Sequence, residues 1–134
     1  MNTTEDYCSY EVAKLLKEKG FVQETLMVYS QNGNFMPNGA IEDTYQIFYP
    51  APTLQMTMKW LREVYHIEIN ITFGFPFIDG KQQYKYFWSI VRVCDNHLEY
   101  PMDDPESAYY NEEMADSYEE AVEAALKYCL ENLI

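Results

Sequence analysis

The sequence predicts a single α+β domain in the order α-β-β-α-β-β-α, with a mainly antiparallel sheet and helices packed on one face. Three observations carry this. Three segments place apolar residues at helical spacing, each with a cap or a stop; residues 67–73 alternate apolar and polar with a period of two; and Asn-Gly and Asp-Gly pairs mark tight turns beside extended segments. Hairpins with few crossovers favour antiparallel pairing. The chain has 134 residues, the length of one domain, and neither a linker nor a residue-level repeat divides it.

The first helix is expected over residues 4–19. Thr3 or Thr4 caps it, Glu5 and Asp6 suit the positive end of its dipole, and Lys14, Lys17 and Lys19 suit the negative end. Cys8, Val12, Leu15 and Leu16 form its apolar stripe, and Gly20 supplies the left-handed stop. Leu26-Met27-Val28-Tyr29 reads as a strand that runs into an Asn32-Gly33 turn. Residues 34–52 are the least legible, with a second Asn-Gly, three prolines and one short apolar piece, Tyr45 to Tyr49, that reads as a strand.

Pro52-Thr53 opens the second helix, about 53–65. Leu54, Met58, Leu61 and Tyr65 form one apolar row and Met56, Trp60 and Val64 a second, while Lys59, Arg62 and Glu63 lie on the polar side. In the strand that follows, Ile67, Ile69, Ile71 and Phe73 share one face. If Asp79 and Gly80 are the central residues of a two-residue turn, facing residues have numbers that sum to 159: Phe73 meets Tyr86, Ile71 meets Trp88, Ile69 meets Ile90 and Ile67 meets Arg92. That register sets one apolar row against another, whereas a slip of one residue would not. Pro76 is the weak point, because it has no amide to donate, and a bulge there would shift the pairing. Residues 95–120 hold ten acids and no Lys or Arg, and read as a long loop; Ser117 and Glu120 then form a capping box for the last helix. Val122, Leu126, Cys129 and Leu133 are its buried stripe, widened by Ala121, Ala125 and Leu130.

Composition narrows the function classes. Twenty-two acids against nine bases give a net charge of −13, which repels phosphate backbones, so no nucleic-acid binding is expected. No apolar run approaches the ~18–20 residues that a bilayer span needs, and the polar Met1–Asp6 start lacks the pattern of a signal peptide, so no membrane association and a cytoplasmic location are expected. Cys8, Cys94 and Cys129 are odd in number, far apart and flanked by apolar residues, as buried free thiols would be.

Signals of catalysis are absent. Neither His66 nor His97 has a metal-ligating partner at i+3 or i+4, and the acids around His97 match no calcium loop. The glycines are isolated, no nucleophile elbow is present, and no cofactor is implied. Two features rise above this background. Phe73, Phe75, Phe77, Tyr84, Tyr86, Phe87 and Trp88 load one hairpin with aromatic rings, a composition that suits either a core or a binding face. The acidic strip, with Asp103, Asp104, Glu106, Glu112, Glu113 and Asp116, suits either a solvated loop or an imitation of a nucleic-acid backbone.

Ser9 to Phe21 (SYEVAKLLKEKGF), Ala51 to Glu63 (beginning APTLQM and ending KWLRE), and Ser117 to Ile134 (beginning SYEEA and ending KYCLENLI) together resemble a family of small proteins from Bacteroides-type gut bacteria that occur in mobile elements and phage-like regions. The resemblance covers the three helices and loosely the final hairpin. It implies an intracellular bacterial or phage domain, and it brings no functional residues, because that family has no assigned activity. The leading expectation is a non-enzymatic module that contacts a protein partner or a second copy, with Lys59, Arg62, Tyr84, Tyr86, Phe87 and Trp88 as candidate contacts. The alternatives are an acidic mimic that blocks a DNA-binding protein, through Asp103 to Asp116, and a small-molecule binder at the aromatic hairpin.

Overall fold

The computed structural model describes residues 6–40, 46–92, 108–110 and 114–134. In chain order the elements are α1 (Tyr10–Glu18), β1 (Met27–Ser30), β2 (Phe35–Pro37), a 3-10 turn (Asn38–Ala40), β3 (Phe48–Pro50), α2 (Leu54–Tyr65), β4 (Ile67–Gly74), β5 (Phe77–Ile78), β6 (Lys81–Gln82), β7 (Lys85–Arg92), β8 (Ala108–Tyr110) and α3 (Tyr118–Asn132). The fold is α+β, with three helices and antiparallel sheets among the described residues. The strands form two three-stranded sheets, β2-β1-β3 and β4-β7-β8, and the short pair β5-β6, where the sequence suggested fewer strands in one sheet. The chain divides into two compact units, Met1–Thr57 with Leu126–Ile134, and Met58–Ala125.

In the first unit, α1 begins at Tyr10, later than the predicted start at residue 4. The cause is tertiary. The Cys8 amide donates to the Pro52 carbonyl (2.9 Å), the Leu54 amide donates to the Asp6 carbonyl (2.9 Å), and Tyr7 bridges Thr53, so this backbone is committed to an extended pairing. Ser9 is the cap in place of Thr3 or Thr4: its Oγ accepts from the Val12 amide (3.2 Å). The helix ends as expected at Gly20, whose φ of +91° permits a Schellman closure. There the Phe21 amide donates to the Leu16 carbonyl (2.9 Å) and the Gly20 amide to that of Lys17 (3.2 Å).

Val28 opposes Met36 on one side and Pro50 on the other, so β1 is central in its sheet. Tyr29 faces both Phe35 and Tyr49, giving a row of rings across the three strands. Tyr10 joins that row at ring-centroid distances of 5.6 Å from Tyr29 and 5.7 Å from Tyr49, and its hydroxyl donates to the Gln31 carbonyl (2.7 Å). The Asn32-Gly33 turn forms as predicted, with Gly33 at φ +86° and a Cβ-equivalent position 3.4 Å from the Tyr10 ring. Val12, Ala13, Leu16 and Leu54 are buried, as are Leu126, Cys129, Leu130 and Leu133 of the predicted α3 stripe. Thr57 is buried as well, its hydroxyl donating to the Thr53 carbonyl one turn back (2.9 Å).

In the second unit, β4 and β7 pair in the predicted register: Phe73 opposes Tyr86, Ile71 Trp88, Ile69 Ile90 and Ile67 Arg92. The same sum holds beyond Pro76, where Phe77 opposes Gln82 and Ile78 opposes Lys81. Pro76 therefore interrupts the ladder without shifting it. Phe75-Pro76 faces Gln83-Tyr84, two unpaired residues on each strand, and the Gln83 amide donates to the Pro76 carbonyl (3.0 Å). The turn is of the left-handed hairpin type, with positive φ at both central residues, Asp79 (+53°) and Gly80 (+78°).

Three expectations need correction here. Of the second apolar row of α2, Trp60 is buried but Met56, in the first unit, and Val64 are exposed. The stretch read as a long loop contains β8, whose Tyr109 opposes Ile90. The capping box at α3 is also modified. The Glu120 amide donates to Ser117 Oγ (3.1 Å), but the Glu120 carboxylate accepts from the Asp116 amide (3.2 Å) instead of that of Ser117.

Candidate functional site

Period-two alternation puts Ile67, Ile69, Ile71 and Phe73 of β4 on one face with Ile90, Trp88 and Tyr86 of β7. Exposure rises steeply along that face. Ile67 and Ile90 are fully buried and Trp88 is 7% exposed, whereas Phe73 is 61% exposed. Past the ladder interruption, Phe75 is 43%, Tyr84 63% and Phe77 76% exposed. The Phe75 and Tyr84 rings pack at a centroid distance of 3.9 Å, and Phe73 lies 6.4 Å from Tyr86. Water therefore meets a row of aromatic carbon at the turn end of the hairpin, the kind of concentrated apolar surface that marks a contact site.

The charge of this arm is as distinctive as its rings. Between Phe73 and Trp88 stand one acid, Asp79, and two bases, Lys81 and Lys85, a local excess of one positive charge in a chain of net −13. Lys85 is mostly buried and pairs with Asp116, beside the reciprocal 2.9 Å amide–carbonyl bonds between Tyr86 and Ala115. Lys81 is left as the exposed cation near the turn.

The candidate contacts read from sequence separate accordingly. Tyr84 is surface, Tyr86 and Phe87 are half-buried on opposite faces of β7, and Trp88 belongs to the interior. Lys59 and Arg62 are exposed, but each is engaged within its own unit, Lys59 with Glu63 (3.9 Å) and Arg62 with Glu68 (3.5 Å). Phe73, Phe75 and Phe77 carry more exposed ring surface than the chosen β7 positions. Asp116 is exposed and paired with Lys85, while Asp103, Asp104, Glu106, Glu112 and Glu113 lie outside the described residues, as do His97 and Cys94.

A cavity of about 640 Å³ lies in the first unit, away from the residues chosen in advance. Tyr7 lines it, together with Glu24, Thr25 and Leu26 from the segment before β1, Asn38 and Gly39 from the 3-10 turn, and the run from Ala51 to Thr53 with Met56. Neither Trp88 nor His66 takes part. Four short segments, none distinctive alone, build this wall; the Tyr7–Thr53 bridge, the Asn38 amide's bond to the Leu26 carbonyl (2.9 Å) and the Ala51 amide's bond to the Met27 carbonyl (3.1 Å) bring them together.

Nothing among the described residues groups three His, Cys, Asp or Glu side chains as a metal site. Cys8 and Cys129 are buried thiols that form no disulfide, and burial pushes the Cys129 thiol up to about 12. That thiol stays protonated at neutral pH and is a poor nucleophile. No helix among the described residues is long and apolar enough to cross a membrane. In comparisons with known proteins, the chain matches no family model, no curated protein and no solved structure.

Proposed function

We propose that this protein is a non-enzymatic protein-interaction module whose contact surface is the aromatic end of the β4–β7 hairpin. The observation that carries the reading is the exposure of Phe73, Phe75, Phe77 and Tyr84 on one charge-poor arm of a strongly acidic chain. Covering those rings removes apolar carbon from water at ~25 cal/mol per Å², and each large ring contributes some 1.5–3 kcal/mol when fully buried. With Lys85 paired to Asp116, the exposed charges of the arm are Asp79 and Lys81, which cancel, so the arm does not repel an acidic partner as the rest of the chain does. An accessory role in a mobile element is part of this proposal and rests on the sequence resemblance of the three helices alone.

The test compares the wild-type chain with a Phe73→Ser/Phe75→Ser/Phe77→Ser variant, by size exclusion with light scattering and by pull-down from the host. The reading expects a dimer or a defined captured partner, lost in the variant while its circular dichroism stays that of the wild type. A wild-type monomer that captures nothing, or a complex indifferent to the triple substitution, overturns it.

A further inference from the structure

We infer that the cavity of the first unit is a binding site for a small organic ammonium ion with an apolar body. The inference is independent of the hairpin arm, because the cavity and the arm share no residue.

Its size comes first. About 640 Å³ falls inside the range of cavities that hold small organic ligands. The walls offer Leu26 and Met56 as flexible apolar surface and Ala51 and Pro52 as a buried base. A thioether and an alkyl side chain adapt to the shape of a ligand, and the Tyr7 ring adds a flat π surface held against Phe35 at a centroid distance of 5.2 Å.

The polar groups then decide the sign of the ligand. Glu24 is the single charged residue of the lining, and no Lys, Arg or His joins it. Glu24 engages in no hydrogen bond or ion pair among the described residues. The neighbouring polar groups turn donors inward and keep acceptors. One N–H of Asn38 Nδ2 donates to the Thr25 carbonyl (3.0 Å), so Asn38 retains Oδ1 as an acceptor beside its second N–H, and Thr25 Oγ1 donates its only proton to the Met27 carbonyl (2.6 Å), leaving lone pairs on the same oxygen. A cavity with one carboxylate, amide and hydroxyl acceptors and an aromatic ring suits an N–H-rich cation. It repels an anion and leaves the carboxylate of a neutral ligand's site unpaired. The net charge of −13 adds a long-range attraction for the same class of ligand.

Isothermal titration of the full-length chain with tyramine, N-acetyltyramine and 3-phenylpropionate tests this. Tyramine carries the ammonium, N-acetyltyramine keeps the ring without the charge, and 3-phenylpropionate inverts the charge. Saturable 1:1 binding of tyramine is expected, weakened about tenfold in Glu24→Gln, with the other two probes bound at least as weakly as tyramine binds the variant. Met56→Arg, which places a cation in the wall, is expected to abolish tyramine binding while circular dichroism stays that of the wild type. Equal binding of tyramine and N-acetyltyramine, indifference to Glu24→Gln, or no tyramine binding at millimolar concentration overturns the inference. Loss of tyramine binding in the hairpin triple variant would show that the arm, not this cavity, holds the amine, and would overturn it equally.

Discussion

Replacing Gly33 by alanine isolates what the aromatic row of the first sheet contributes. Gly33 has φ +86°, and an alanine Cβ there would stand 3.4 Å from Tyr10 Cδ1 and 3.5 Å from Cε1. Gly80 is the natural reference, at φ +78° with nothing within 4 Å of its Cβ position. An L residue in this left-handed conformation costs about 1–2 kcal/mol, and the stiffer unfolded chain offsets about 0.4–1 of it, so Gly80→Ala should destabilise by about 1 kcal/mol. At Gly33 the new methyl also meets the edge of the Tyr10 ring at the near limit of ordinary contact, which leaves the ring at most a few tenths of an ångström to give. It is anchored by its hydroxyl on the Gln31 carbonyl (2.7 Å) and by its contacts with Tyr29 and Tyr49. Weakening that hydrogen bond and those ring pairs by so small a shift adds about 1 kcal/mol, for a total of about 2 kcal/mol. Urea unfolding followed by circular dichroism reads both values, and a Tyr10→Ala background closes a double-mutant cycle. In that background the extra cost at Gly33 should vanish. If Gly33→Ala costs the same as Gly80→Ala within about 0.5 kcal/mol, or if its cost survives Tyr10→Ala, the ring row is not rigid and the reasoning fails.

Three further outcomes are expected. His66 follows α2 with φ +56°, so His66→Gly should stabilise by about 0.5–1 kcal/mol, seen as a raised Tm; an unchanged or lowered Tm contradicts it. Ser117→Ala removes the acceptor of the Glu120 amide and should cost about 1 kcal/mol in a urea titration, whereas Ser117→Asp should cost nearly nothing. Stability should hold through neutral pH and fall above pH 9, because the Cys129 thiol ionises near 9.0 when unfolded but only near about 12 when folded, so the unfolded chain binds fewer protons in that window. Lys127 acts in the same direction: its hydrogen bond and attraction to Glu11 raise its pKa above 10.5, so the support it gives is complete below 10.5 and lost as pH climbs past the raised value. Urea midpoints at pH 7, 9 and 10.5 measure the decline, and Cys129→Ala should flatten it; an equal slope in the variant would discount the thiol.

Local pattern revealed the parts of this fold that local forces decide. The hairpin register followed from a turn that demands Asp-Gly chemistry and from one apolar row that must meet another, and both constraints act within about two dozen residues. The α3 stripe and the Gly20 stop follow in the same way from side chains three and four apart and from one left-handed position. The start of α1 did not, because Thr3-Thr4-Glu5-Asp6 carries every local mark of a helix start. What overrides it is a pairing with Pro52 and Leu54 more than forty residues away. The exposed aromatic surface was half legible for a related reason. Alternation shows which residues share a face, but it is blind to how far along that face burial extends, so Trp88 and Phe77 look alike in the sequence and differ tenfold in exposure. The cavity was illegible, since Tyr7, Glu24, Asn38 and Met56 acquire a common chemistry only once the chain is folded.

The matched gap at Phe75-Pro76 and Gln83-Tyr84 separates the inheritance of the arm from that of the fold. Because each strand skips the same number of residues, the zipper beyond the gap is in phase with the one before it. Opposed residues can then be added or removed as couples at the turn end while every pair between Ile67 and Gly74 keeps its partner. Such a joint lets the reach and chemistry of the tip drift quickly under selection, or under an engineer's hand, without renegotiating the interior. Unequal changes, one residue on a single side, would instead turn the aromatic row toward the opposite face, and those are the changes that descent should avoid.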